Sequence, residues 1–335
     1  MIVENASIRK SSESDLKNIN DFFQKTAFPY EEEDTASLYS GNTRLVHYTS
    51  ADSAAKILKS KTFLMRNARA TNDVSEIDYG TKIFVNHITN INKNYSSVLK
   101  DIDESAAEKF DLKMSRQIKD AINNTYISCF AEHKIENLNL EEFGLLSMWR
   151  SYGVPNGVCI VLKTDAWSKN NFQHLIAPLY KIKYDANEFI STQMEQFFDE
   201  VDRNKSLLKK LPDYSIDWIV EKFKCDILST KHPIFREENE WRSIFAPKRH
   251  GKSIIKQELL KKSKSLPELV YKIPLEKSNN YKDYDLSIEN FIEHIYIGPS
   301  KNPSMLRATF VHMLEQCGVS NPESRVHIAD VPLRV

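Results

Sequence analysis

The order of predicted elements makes this an α+β protein built on a mainly antiparallel or split sheet. Short apolar runs of strand character come in groups, not in regular alternation with helices, which disfavours a doubly wound parallel sheet. Charge-rich helical stretches near residues 75–123 and 188–230 interrupt those groups as large insertions. Length is the third observation: 335 residues allow one large domain with an appendage, or two domains. The resulting division is an N-terminal helical arm over 1–42 and a main domain over 43–335 that carries both insertions.

Each element has its own warrant. Leu16, Ile19, Phe22 and Phe23 recur at helical spacing within Asp15 to Lys25. The acidic run Glu31 to Asp34 after Pro29 reads as a loop. Arg44 to Tyr48 is the first strand; Thr49-Ser50-Ala51-Asp52 then fits a helix start, and Ala54, Ala55, Ile57 and Leu58 supply the apolar face. Thr62 to Arg66 is a second strand, and Ala68 to Val74 a polar loop. Helix follows over Ser75 to Asn92 and Ser97 to Asn123. In Thr125 to Phe130, alternation places Tyr126, Ser128 and Phe130 on one face. Gly144 to Tyr152 is a helix with Leu145, Trp149 and Tyr152 on one side. Strands are expected at Gly157 to Lys163, Leu179 to Tyr184, Glu240 to Phe245, Leu269 to Ile273, Ile292 to Ile297 and Val326 to Ile328. Pro303 to Cys317 is an amphipathic helix stopped by Gly318.

Composition narrows the function classes. Forty-six basic residues balance forty-six acidic ones. A zero net charge argues against non-specific coating of nucleic acid, which needs a basic excess. Lys209-Lys210, Lys248 to Lys256 and Lys261 to Lys264 are local basic segments, and a solvated face is their simplest reading. No apolar run reaches the ~18 residues of a membrane helix. The first residues, Met1 to Asn5, lack the basic and apolar regions of a signal peptide. Four scattered cysteines without a CxxC read as reduced thiols of a cytoplasmic protein. No P-loop and no G-x-S-x-G elbow occurs.

Three segments stand out as candidate chemistry. His47 ends an apolar strand and precedes Tyr48, Thr49 and Ser50. The strand and helix around Tyr126, Ser128, Trp149 and Tyr152 supply aromatics and a hydroxyl. Phe235 to Arg242 supplies Glu238, Glu240 and Arg242 at alternate positions, which share a face if this is a strand. Trp241 and Phe245 would anchor the opposite face. Each has a plainer reading: a structural histidine, core aromatics, and a solvated edge strand.

The order His47-Tyr48-Thr49-Ser50, Asn72-Asp73, Ile127 to Phe130, Met148-Trp149 to Tyr152-Gly153, and Glu240-Trp241-Arg242 resembles DUF2971, a mainly bacterial family met near defence genes. The strand-loop-helix at His47 and the E-x-E form of Glu238-Asn239-Glu240 are in turn similar to the ADP-ribosyltransferase superfamily, including the DNA-modifying DarT toxins. That resemblance implies NAD as co-substrate and no metal. It implies that Glu240, or else Glu238, stabilises the oxocarbenium-like transition state. It gives His47, with Tyr48, Thr49 and Ser50, the ribose; Tyr126 and Tyr152 the nicotinamide; and Arg242 the pyrophosphate. Asn72, Ser128 and Trp149 complete the implied cleft. The implied function is a toxin or anti-phage effector that transfers ADP-ribose to a macromolecule, RNA or DNA before protein, with an antitoxin as a possible partner. Tyr48 departs from the pattern, since many transferases carry Gly after the His.

Two other readings stand beside it. One is a non-catalytic module on the same scaffold that binds a nucleotide or a partner protein. The other is a metal-dependent nuclease using the carboxylates of Glu237 to Glu240. Arg242 sits where one nuclease pattern has Lys, and Arg holds its proton too firmly to replace it.

Overall fold

The computed structural model describes residues 9–26, 36, 38, 40, 43–70, 76–90, 95–134, 144–153, 155–164, 177–184, 186–247, 254–260, 267–278 and 285–331. Two compact units emerge, and neither is continuous in sequence. One gathers 1–33, 72–123 and 183–233; the other gathers 34–71, 124–182 and 234–335.

The first unit is helical. Its helices are α1 (Arg9–Thr26), then Glu76–Asn90, Tyr95–Ile102, Ala106–Asn124, Ala186–Arg203, Lys205–Leu208 and Pro212–Leu228. The apolar stripe of α1 is used here: Phe23 stacks on Trp218 with ring centroids 5.7 Å apart. Asn20 Oδ1 accepts from Tyr214 Oη at 2.5 Å and Trp218 Nε1 at 3.0 Å. Lys222 and Asp226, one turn apart, form a buried ion pair at 2.6 Å, with the ammonium beside the Phe197 and Phe223 rings.

The second unit holds a mixed α/β arrangement around a ten-stranded sheet. Its strands are β1 (Thr43–Ser50), β2 (Thr62–Asn67), β3 (Tyr126–Lys134), β4 (Gly157–Leu162), β5 (Leu179–Lys181), β6 (Glu240–Phe245), β7 (Lys256–Leu260), β8 (Glu268–Pro274), β9 (Ile292–Ile297) and β10 (Val326–Ile328). The main path runs β10-β9-β4-β1-β3-β2-β8-β7, and β6 branches from β3 with β5 beyond it. Every strand pair except β9–β10 is antiparallel.

The sheet parts at β3. One edge of β3 pairs with β6 over residues 126–131. The other edge pairs with β1 at residues 131–134 and with β2 at 126–127. Between those two contacts β1 and β2 diverge, joined by the helix Ala51–Ser60. Two side chains bridge the gap. The His47 ring bonds the Cys129 carbonyl, and Ser128 Oγ donates to the Leu64 carbonyl at 2.6 Å.

Alternation along β1 then sorts every neighbour onto one of two faces. Leu45 and His47 lie on one face, with Phe130, Tyr126, Trp241, Phe245, Ile160 and Ile295 from the paired strands. This face carries the larger core, covered by Ala54, Ile57 and Leu58 and by Phe310 and Leu314 of the helix Pro303–Gln316. Val46 and Tyr48 lie on the other face, with Ala131, Cys159, Val161 and Ala329, under Met148 and Trp149 of the helix Leu146–Tyr152.

Trp149 sits in a seat shaped by glycine. A Cβ at Gly298 would fall 2.4 Å from the indole, and one at Gly144 (φ +70°) would fall 2.7 Å from the Tyr48 hydroxyl and 2.9 Å from Trp149 Nε1. The absent side chains let backbone approach the ring face.

Candidate functional site

His47 is half-buried at the parting of the sheet. Its Nδ1 lies 3.1 Å from the Cys129 carbonyl oxygen, which only accepts, so Nδ1 carries the proton. Phe63 and Phe130 meet the ring edge-on at 5.2 and 6.0 Å. Burial pushes its pKa below the usual histidine value, and the bond to Cys129 opposes this in part. His47 is therefore neutral at pH 7.

Tyr48 points the other way and is 4% exposed. Its hydroxyl accepts from the Leu145 backbone N–H at 2.8 Å and lies 3.0 Å from His133 Nε2. The bulk that departs from the transferase pattern is thus a buried polar strut. Burial drives its pKa well above that of a free phenol. Ser50 caps the following helix, its Oγ accepting from Ser53 N at 3.2 Å, and Thr49 is half-buried. Asn72 lies outside the described residues.

The expected aromatic pair does not form. Tyr126 belongs to the His47 face and packs against Tyr271 at 4.4 Å; Tyr152 packs onto the Tyr48 and Trp149 cluster. Alternation in β3 and the position of the helix Leu146–Tyr152 separate them by the thickness of the sheet. Trp149 is 1% exposed and is a core residue. Ser128 is spent on the Leu64 carbonyl.

The carboxylates also differ from expectation. Glu238 ends a 3-10 turn, Pro233–Glu238, and Asn239 takes φ 42° before β6 begins at Glu240. Glu238 therefore shares no strand face with Glu240. Glu240 and Arg242 do share one, and they are spent on each other: Arg242 Nε reaches Glu240 Oε1 at 2.6 Å and Nη2 reaches Oε2 at 3.1 Å, both residues 3% exposed. Their face is set by register. Trp241 stands opposite Phe130 on the His47 side, so Glu240, opposite Ala131, is on the Tyr48 side. His47 and Glu240 do not converge on one cleft. Glu132 is a carboxylate on the His47 side, opposite Leu45; it is 3% exposed and accepts from Trp241 Nε1 at 2.8 Å and Lys181 Nζ at 3.0 Å.

On the Tyr48 face the structure forms a cleft that sequence reasoning missed. Arg44, His133, His294, Tyr296 and the Trp149 edge line it, over Val46, Cys159, Val161 and Ala329. Register builds it: Arg44 pairs with His133, Cys159 with Tyr296, and Val161 with His294. Its enclosed part has room for about two waters, and it opens to solvent. Arg44 is held by Glu293 through two bonds of 2.7 Å, which balances its charge. Burial pushes the pKa of His133 down to about 4 and lowers that of His294 as well. His327 Nε2 lies 3.2 Å from His294 Nδ1. The available signal was alternation: Arg44 continues the Val46 and Tyr48 face, and β3 runs past Phe130 to Lys134.

Among the described basic residues, Lys210 pairs with Asp15 and Lys256 with Glu276. Of the other expected basic segments, residues 248–253 of Lys248 to Lys256 and all of Lys261 to Lys264 lie outside the described residues. All four cysteines are free thiols. No described helix is long and apolar enough to cross a membrane. No group of three or more His, Cys, Asp or Glu side chains suited to a metal occurs among the described residues.

Residues 148–243 match the model of the family described as "Protein of unknown function (DUF2971)". The match begins beside Trp149 and ends in β6, so it supports the family resemblance carried by the Trp149 and Glu240 segments. No curated protein and no solved structure matches the chain.

Proposed function

We propose that this protein is a non-catalytic module that binds a nucleotide or a partner protein, and that it does not turn NAD over through His47 and Glu240. The carrying observation is the separation of those two side chains by the sheet, with the Glu240 carboxylate already engaged by Arg242. A carboxylate that stabilises a cationic sugar must be aimed at it. The Tyr48-face cleft sets converging polar groups over an apolar floor, and with room for about two waters it takes only the tip of a bound group. Titrating the ¹⁵N-labelled protein with nucleosides should shift amides of Val46, His133, His294 and Tyr296 together. Saturable shifts elsewhere, or none, would remove the cleft from consideration.

One observation favours a second reading, ADP-ribosyl transfer with NAD as co-substrate. β1 and β2 part at β3, and a neutral, half-buried His47 stands at the parting, as the superfamily resemblance requires. A carboxylate on that face is Glu132 rather than Glu240 or Glu238. Nicotinamide release with RNA or DNA as acceptor, lost in His47→Ala and Glu132→Gln but kept in a folded Glu240→Gln, would establish it. A defence setting and an antitoxin partner rest on the resemblance to DUF2971 and belong to either reading.

A further inference from the structure

The main path of the sheet ends at β7, whose first four residues, Lys256 to Leu259, are exposed. Among the described residues β7 pairs with β8 alone, so its outer edge presents backbone N–H and C=O groups to solvent. We infer that this edge is an interface between two copies of the chain: β7 pairs antiparallel with β7 of a second copy, centred on Gln257, and joins the two sheets into one.

Charge selects the register. An antiparallel pair of identical strands has its two-fold axis perpendicular to the sheet, so each residue meets one that points to the same face. Centred on Gln257, the pairing sets Lys256 opposite Glu258 of the second copy, and does so twice by symmetry. Centring on Lys256 or on Glu258 would set like charges directly opposite, which destabilises a ladder. Centring on Leu259 would leave Lys256 with no opposite residue inside the strand. Charges on an exposed edge commonly guard it against pairing. Here the two are of opposite sign and lie two residues apart, so they reject two registers and favour one. Their contacts within the chain, Lys256 with Glu276 at 3.5 Å and Glu258 with Lys272 at 2.5 Å, leave the side chains 71% and 46% exposed, and each keeps surface for a second contact.

The apolar side chains agree with that register. Gln257 stands opposite Tyr271, a residue of the larger core, so Leu259 lies on the same face as that core. Ile255 is buried in it, whereas Leu259 is 52% exposed. Pairing centred on Gln257 brings Ile255 of the second copy beside Leu259 and continues the core across the junction. A strand of five residues is a small contact, so the dimer forms at high protein concentration.

Sedimentation velocity on the full-length protein tests this, run from about 1 µM to about 1 mM to cover a weak interface. The wild type should pass from monomer to dimer across that range. Lys256→Glu sets carboxylates opposite each other, and Glu258→Lys sets ammonium groups opposite each other. Each variant alone should dimerise roughly tenfold more weakly, because both cross-strand pairs turn from attractive to repulsive. An equal mixture of the two variants restores opposite charges at both pairs, and it should form a mixed dimer at least as readily as the wild type. That recovery separates a lost interface from a lost fold, since mixing alters neither chain. A wild type that stays monomeric throughout, single variants that dimerise as the wild type does, or a mixture that stays monomeric each overturns the inference.

Discussion

The two faces of the sheet make different use of similar residues. On the His47 face the polar groups serve the backbone and the core: His47 completes the Cys129 carbonyl, Ser128 completes Leu64, and Glu132 holds Trp241 and Lys181. On the Tyr48 face Leu145 N–H and His133 Nε2 meet at the Tyr48 hydroxyl, and His133 lines a cleft. A buried polar group that ends on backbone stabilises the fold. One that lines a cleft is available to a ligand. His47 and Tyr48 are adjacent in sequence, yet they fall on opposite sides of this division because a strand turns successive side chains by half a revolution.

The sharpest way to break the comparison is at Glu240. Glu240→Ala removes one partner of the buried Arg242 and should cost up to ~3–5 kcal/mol in urea unfolding. A loss under about 1 kcal/mol would mean that the carboxylate is free for another role, as the transferase reading requires. The next effect is pH. His133 has a folded pKa of about 4, against about 6.5 in the unfolded chain. Above pH 6.5 both forms are neutral and the contribution is whole. As pH falls from 6.5 toward 4 the unfolded chain binds the proton first, and stability should drop by ~3 kcal/mol before levelling. His47, also depressed, adds to the drop in the same direction. Replacing His133 with Gln should remove most of the slope, and a flat profile in the wild type would contradict a buried neutral ring.

Smaller effects sharpen the same contrast. Gly298→Ala puts a methyl group against the Trp149 ring and should destabilise by ~1–3 kcal/mol, read as a lower thermal midpoint. His47→Leu should cost only ~1 kcal/mol, because it removes one hydrogen bond and keeps the apolar packing. A much larger loss would show that the parting of the sheet depends on that ring.

Much of the fold was legible in the residues. The apolar runs placed nine of the ten strands, and Trp241 and Phe245 were assigned correctly to the face opposite Glu240. β7 was missed because Lys256 to Leu260 is an exposed edge strand with no apolar alternation to detect. The site was less legible. Alternation within one strand is local, but the face a strand shares with another depends on register, which no single segment encodes. His47 and Glu240 each looked well placed alone, and the β1–β3–β6 register put them on opposite sides. The E-x-E motif failed for a local reason: Asn239 adopts a left-handed conformation that Asn tolerates, so the strand starts at the second Glu. His133 beside Glu132 is weak evidence of a site in sequence alone, because a strand ending at Phe130 stops three residues short of placing it beside Arg44.

His47 and Glu240 stand on opposite faces of the sheet and do not form one NAD site. Nicotinamide release from NAD by the purified protein, with total RNA or DNA as acceptor, tests it most directly. No release above a protein-free control is expected. Release that disappears both in His47→Ala and in a folded Glu240→Gln would contradict it.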